Sequence, residues 1–187
     1  MNKKLAIFDL DGTLFDTREV NYLSYRQALS EEGYGLERGF YESECNGKYY
    51  KEYLPLLIDN PSPELMERVH RRKKQLYPTY LTKATPHRHL FQLIGLMRCE
   101  YHIALVTTAS RASCMDILEY SRTVPLFELI LTQEDVSAKK PDPEGMLKAM
   151  AHFDIAPEDT LVFEDSDSGI EAAKRCGASI LAVLDFI

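Results

Sequence analysis

Short, unbroken apolar runs punctuate the chain and alternate with segments whose apolar residues recur at helical spacing. Leu5 to Phe8 is the first run, and the pattern returns at His102–Thr107, Glu128–Thr132, Thr160–Glu164 and Ser179–Leu184. Runs of this length without a polar alternation mark strands buried on both faces. Between them lie segments with helix-start and helix-stop chemistry. Ser110 stands as an N-cap before "RASCMDILEY", Asp142 as an N-cap with Pro143 at the first helical position, and "SGIEAAKRCG" begins at Ser168 and stops at Gly177. Strand and helix in alternation predict an α/β fold: a doubly wound, parallel sheet covered by helices on both faces.

Residues 18–83 break the pattern. They offer no convincing strand and are rich in Tyr, Glu, Lys and Arg. Tyr22, Tyr25 and Leu29 share a helical face with Gly33 as a stop, and Ser62-Pro63-Glu64 starts a second helix with Leu65, Val69 and Leu76 on one side. This predicts a small all-helical cap inserted after the first strand, with residues 1–17 and 84–187 forming the α/β core.

A parallel α/β sheet binds ligands beyond the carboxyl ends of its strands, so the polar residues there are read as one set. They are Asp9 and Asp11 after the first run, Thr107 and Thr108 after the second, Lys139 and Lys140 in "SAKKPDP", and Glu164 and Asp165 after "TLVF". Acids, hydroxyls and a lysine on one edge suit phosphoryl transfer to a carboxylate. Asp9 is the expected nucleophile. Its charge repels a phosphate, which calls for Mg²⁺ held by Asp9, Asp11 and Asp165. Residues two apart in an extended segment point the same way, so Asp11 is placed to move the proton to the leaving oxygen and from the incoming water. Gly12 lets the backbone turn close beneath the phosphate. Thr107 and Lys140 are expected on the non-bridging oxygens, with Thr108 as a second hydroxyl.

Bulk properties exclude other classes. A chain of 187 residues supports one packed core with a small accessory unit, and its net charge of -7 disfavours nucleic acid and anionic membranes as partners. The four cysteines contain no C-x-x-C pair, so they read as isolated thiols. "MNKKLAIFDLDG" is too short in its apolar part for a signal peptide and no segment is long enough to span a bilayer, giving a cytoplasmic expectation. A calcium loop of the EF-hand type would want oxygen ligands where Thr13, Phe15 and Val20 stand.

The same residues carry a family resemblance. "DLDGTLFDT", "IALVTTAS", "KKPDPE" and "VFEDSDSGIEAAKRCGA" resemble, in order and spacing, the four motifs of the haloacid dehalogenase superfamily, and the last resembles its β-phosphoglucomutase and phosphoglycolate phosphatase branch. The resemblance implies a Rossmann-like core with a helical cap after the first motif. It implies a Mg²⁺-dependent phosphatase acting on a small phosphorylated metabolite, with a phosphosugar mutase as the alternative. It assigns Asp9 as nucleophile, Asp11 as acid and base, and Thr107 and Lys140 as phosphate ligands. Asp165 would hold the metal with Glu164 beside it, and Asp11 would reach the metal through its backbone carbonyl. Gly47 and Lys48 in "CNGKYYKEYL" are expected to meet substrate, with Lys51 behind them. "HRRKK" (His70 to Lys74) is expected to be a solvated helix face, and His87 and His89 to be structural. A monomer or weak homodimer is expected. A dehalogenase would lack the second aspartate, so Asp11 argues against that chemistry.

Overall fold

The computed structural model describes residues 3–46, 48–184 and 186. They form two compact units, Met1–Asp16 with Thr85–Ile187, and Thr17–Ala84.

The first unit is built on a five-stranded, wholly parallel sheet. Its strands are β1 (Lys4–Phe8), β4 (Tyr101–Val106), β5 (Leu129–Leu131), β6 (Thr160–Glu164) and β7 (Ser179–Ala182), in the order β5-β4-β1-β6-β7. Two-residue strands β2 (Phe15–Asp16) and β3 (Thr85–Pro86) pair antiparallel where the chain leaves and re-enters this unit. The chain winds from β1 through β4 to β5, then returns across β1 to lay down β6 and β7. The order therefore reverses at β1, and that reversal opens a crevice at the carboxyl end of β1 and β6.

β1 shows why the apolar runs are unbroken. Leu5 and Ile7 pack with Ala104, Val106 and Val162 against Met146, Ala149 and Met150 of α7 (Glu144–Phe153) and Ala172, Ala173 and Cys176 of α8 (Asp167–Cys176). Ala6 and Phe8 point to the opposite face, where Phe8 stacks on Phe163 with centroids 4.3 Å apart. Helices α5 (Arg88–Met97) and α6 (Arg111–Tyr120) complete the unit.

Helix boundaries follow local chemistry, with two corrections to expectation. The Ser110 side chain caps α6 by accepting from Ser113 N, and Gly177 ends α8 at φ 79°. α8 starts earlier than expected: Ser166, not Ser168, is the cap, because its hydroxyl accepts from Gly169 N at 3.1 Å. α7 starts later: Pro143 occupies the cap position, while Asp142 stands one residue outside and accepts from Glu144 N at 2.9 Å. β5 and β7 stop at Leu131 and Ala182, short of the apolar runs that predicted them.

The second unit is helical: α1 (Arg18–Glu31), the single-turn α2 (Arg38–Phe40), a π-turn over Tyr41–Cys45, α3 (Tyr50–Leu57), α4 (Pro63–Leu76) and a 3₁₀ segment over Tyr77–Lys83. Its core gathers Tyr22, Tyr25, Tyr41, Tyr50 and Tyr53 around Leu29, Leu54 and Val69. The "HRRKK" stretch is not a uniformly solvated face. His70 stacks on Tyr50 with centroids 3.9 Å apart and its Nδ1 lies 2.7 Å from the Tyr25 hydroxyl, while the buried Lys73 sits over the Tyr25 and Tyr77 rings. Aromatic faces attract a cation and a lysine stem packs on apolar surface, which favours an inward lysine on this helix.

Candidate active site

The carboxyl ends of β1 and β6 bring Asp9, Glu164 and Asp165 together, and Lys140 reaches Asp9 and Glu164 from the loop after β5. Asp9 follows β1 directly, its amide held by the Phe163 carbonyl at 3.0 Å, so the backbone ladder itself fixes the carboxylate against β6. The chain then turns sharply: Leu14 N and Phe15 N both return to the Leu10 carbonyl, and Gly12 takes φ +92°. A Cβ at Gly12 would overlap the Asp165 carboxylate, so this turn needs glycine for space as well as for its left-handed conformation. The buried Thr13 donates to Asp165 Oδ1 at 2.8 Å and fixes that carboxylate. Sequence reasoning had passed over Thr13, although its place directly after Asp-x-Asp-Gly could have marked it.

Lys140 is the hub. Its Nζ donates to Asp9 Oδ1 at 2.6 Å, to Glu164 Oε1 at 2.5 Å and to the Val106 carbonyl at 3.0 Å, which uses all three ammonium protons. The side chains of Lys140, Asp9 and Glu164 are 7%, 9% and 1% exposed, so this is a buried triad rather than a surface ion pair. Glu164 is held from its other side by Ser166, whose backbone N and hydroxyl donate to Oε2 at 2.9 and 3.0 Å. A Cβ at Gly169 would overlap the Glu164 carboxylate, so α8 carries glycine there to admit it. Ser166 and Gly169 are site-shaping residues that the sequence presented only as parts of a helix start.

Thr107 is buried at the end of β4. Its amide donates to the Leu131 carbonyl at 3.0 Å, and its hydroxyl oxygen accepts from Ala109 N at 3.1 Å, which leaves the hydroxyl hydrogen to donate elsewhere. Thr108 is exposed beside it. Lys139 points away from the triad and donates to Gln133 Oε1 at 3.0 Å. Lys48 lies in the helical unit and pairs with Glu44 at 3.2 Å, and Lys51 pairs with Glu67 at 3.1 Å. Gly47 lies outside the described residues. His87 is structural: its Nδ1 accepts from Leu90 N and caps α5.

The electrostatics are lopsided. Burial pushes the Asp9 carboxyl well above the usual carboxylate range; Lys140 opposes this, while the charges of Glu164 and Asp11 add to it. Burial alone would depress the Lys140 ammonium, but Asp9 and Glu164 outweigh it and hold it above its ordinary value. Burial raises Asp165 as well, against the hydrogen bond from Thr13. One ammonium thus serves three carboxyl groups, and a further cation there would favour their ionised forms. Carboxylate oxygens of Asp9, Glu164 and Asp165 lie within 4.8 Å of one another. That donor set, all hard oxygen, fits a small divalent cation such as Mg²⁺. The group is made of these three carboxylates, and Asp11 is not among them.

The chain is similar to known proteins over most of its length. A family model described as haloacid dehalogenase-like hydrolase matches residues 6–183. The chain is 28% identical over 177 residues to a protein of Thermotoga maritima named phosphorylated carbohydrates phosphatase, covering 92% of this chain and 81% of that one. It is 27% identical over 190 residues to β-phosphoglucomutase of Bacillus subtilis, covering 96% and 83%. Among solved structures, CbbY from Rhodobacter sphaeroides in complex with phosphate shares the fold at a TM-score of 0.85 and 23% identity, over 98% of this chain and 87% of that one.

Proposed function

The chain belongs to the haloacid dehalogenase-like hydrolase family and is a phosphatase-like enzyme, and on that premise we propose that it is a Mg²⁺-dependent phosphatase that hydrolyses a small phosphorylated metabolite through an aspartyl-phosphate on Asp9. The observation that carries the reading is the buried triad: Lys140 bonded at once to Asp9 and Glu164, with Asp165 alongside. Buried carboxyl groups gathered around one ammonium suit a reacting site, and these lie where a parallel α/β sheet binds its ligands.

In the first half-reaction an Asp9 carboxylate oxygen attacks phosphorus, the bond to the leaving oxygen breaks, and Asp11 delivers its proton to that oxygen. In the second, Asp11 takes a proton from water, the water oxygen attacks phosphorus, and the Asp9–phosphorus bond breaks. Thr107 donates its free hydroxyl hydrogen to a non-bridging oxygen, with Thr108 as a second donor. Lys140 turns a proton from the triad toward the phosphoryl group as charge builds there. Asp9, Asp165 and the Asp11 backbone carbonyl would hold the metal, with Glu164 beside them. Bound there, Mg²⁺ supplies the positive charge that lets an anionic phosphate approach an anionic nucleophile. The expected partner is the small phosphorylated substrate, and no helix of the described residues is long and apolar enough to cross a membrane.

The test is phosphate release from sugar phosphates, phosphoglycolate, nucleotides and a chromogenic phosphomonoester, with Mg²⁺, with EDTA, and with Asp9→Asn. Metal-dependent release that Asp9→Asn abolishes supports the proposal. Turnover that survives Asp9→Asn overturns it. Activity that needs a bisphosphate activator and releases no phosphate would assign the same residues to a mutase.

A further inference from the structure

Lys140 is delivered to the site by a long connection between β5 and α7, and that connection has an anchor of its own. Glu144, in the first turn of α7, turns its carboxylate back onto this loop. Its Oε2 accepts from the amides of both Ser137 and Ala138 at 2.8 Å, and its Oε1 pairs with Lys148 Nζ at 2.6 Å. Lys148 Nζ in turn donates to the Asp135 carbonyl at 2.7 Å. A turn closes the far side, where Asp142 N donates to the Lys139 carbonyl at 2.9 Å. The near end of the loop is fixed independently: Asp135 accepts from Thr132 N and its hydroxyl at 2.7 and 2.8 Å, and from Arg111 at 2.6 and 2.7 Å.

We propose that Glu144 is a positioning residue for Lys140: by fastening two successive loop amides to the start of α7, it sets where the Lys140 ammonium arrives between Asp9 and Glu164. This rests on reading Lys140 as a phosphate ligand, and goes beyond it by naming what holds that ligand in place. Two consecutive N–H groups converging on one oxygen form a nest whose shape depends on the anion in it. Without the carboxylate both amides turn to water, and a segment two residues from Lys140 loses its only side-chain acceptor among the described residues. Glu144 touches none of the reacting groups, so its effect reaches the reaction only through Lys140. Lys148 and the two amides hold its carboxyl at about 2, so the anchor stays charged throughout the working pH range.

The test compares the enzyme with its variants Glu144→Ala, Glu144→Gln, Lys148→Met and Lys140→Met. It follows kcat, KM, inhibition by inorganic phosphate, Tm, and amide exchange at Ser137 and Ala138. Glu144→Ala should lower kcat/KM by about 10- to 100-fold, the scale of a displaced catalytic group. It should weaken phosphate inhibition in the same direction as Lys140→Met and speed exchange at both amides. Glu144→Gln, which keeps an oxygen for the loop amides, should recover part of the loss, and Lys148→Met, which leaves both amide bonds in place, should do less than either. Faster exchange with kcat/KM unchanged in Glu144→Ala overturns the inference. So does a loss that follows Tm alone with phosphate inhibition unaltered. Should Glu144→Ala fail to fold, Glu144→Gln decides by the same criteria. Lys140→Met with wild-type turnover would instead remove the reading of Lys140 itself, whatever Glu144 does.

Discussion

The two units of the molecule bury polar groups in opposite ways. At the strand ends of the α/β unit, Asp9 and Glu164 are buried, each bonded to the Lys140 ammonium at 2.5–2.6 Å, with Asp165 beside them. In the helical unit buried tyrosines build much of the core, and three of its arginines pair at the surface: Arg38 with Glu19, Arg68 with Glu32, Arg72 with Glu31. Burying a ring while its hydroxyl finds one partner is favourable packing. Burying several carboxyl groups around one ammonium is a cost, and such costs concentrate where chemistry uses them. The contrast separates a region shaped for reaction from one shaped for packing.

Substitutions can break that contrast, beginning with the largest effect. Asp9→Asn should lower turnover by at least ~10³-fold, as removal of a nucleophile does, yet leave Tm equal or higher, because one carboxylate leaves an overcrowded pocket while Lys140 keeps Glu164. A fall in both would mean that the triad is structural. Lys140→Met should destabilise the fold by about 3–5 kcal/mol, since Asp9 and Glu164 are then buried without a cation; denaturant unfolding measures it. In the helical unit, where packing rules, Leu54→Ala should cost about 2–5 kcal/mol, since Leu54 is wholly buried. Thiol titration of the native protein should show Cys99 reacting fast and Cys114 slowly: Cys99 is exposed, whereas burial pushes the Cys114 thiol up to about 12. Arg72→Met should give the smallest change, with no measurable shift in Tm despite its two short bonds to Glu31.

A pH series sharpens the same distinction at Glu144. Its folded value of about 2 lies below the ordinary glutamate value near ~4.3. The carboxylate's contribution is therefore full above the unfolded value and is lost as pH falls through the folded one. Protection of the Ser137 and Ala138 amides should persist at about pH 4 and fail only on approach to pH 2. Unprotected amides at neutral pH would show that Glu144 does not fasten the loop.

The parallel sheet was legible because strands covered on both faces must be apolar throughout, and the candidate site because Asp9, Asp11, Thr107 and Asp165 follow the ends of such runs, with Lys140 in the loop after β5. What the chain does not display is the support around them. Ser166 and Gly169 look like any helix start, and only the fold shows that one grips Glu164 and the other makes room for it. Thr13 and Glu144 act across turns whose closure no periodicity predicts. The inward lysine on α4 was missed for a related reason. A run of basic residues signals a solvated face unless aromatic rings stand opposite, and Tyr25 lies 48 positions from Lys73 in the chain.

The central claim, phosphoryl transfer to Asp9, is tested most directly by trapping the enzyme in mid-reaction. The wild-type protein is mixed with a turned-over phosphomonoester and Mg²⁺, quenched in acid within the first turnover, and its peptides analysed by mass spectrometry. The account predicts phosphate on the peptide bearing Asp9, removed by hydroxylamine and absent from Asp9→Asn. Rapid turnover with Asp9 never phosphorylated, or with phosphate on another residue, would contradict it.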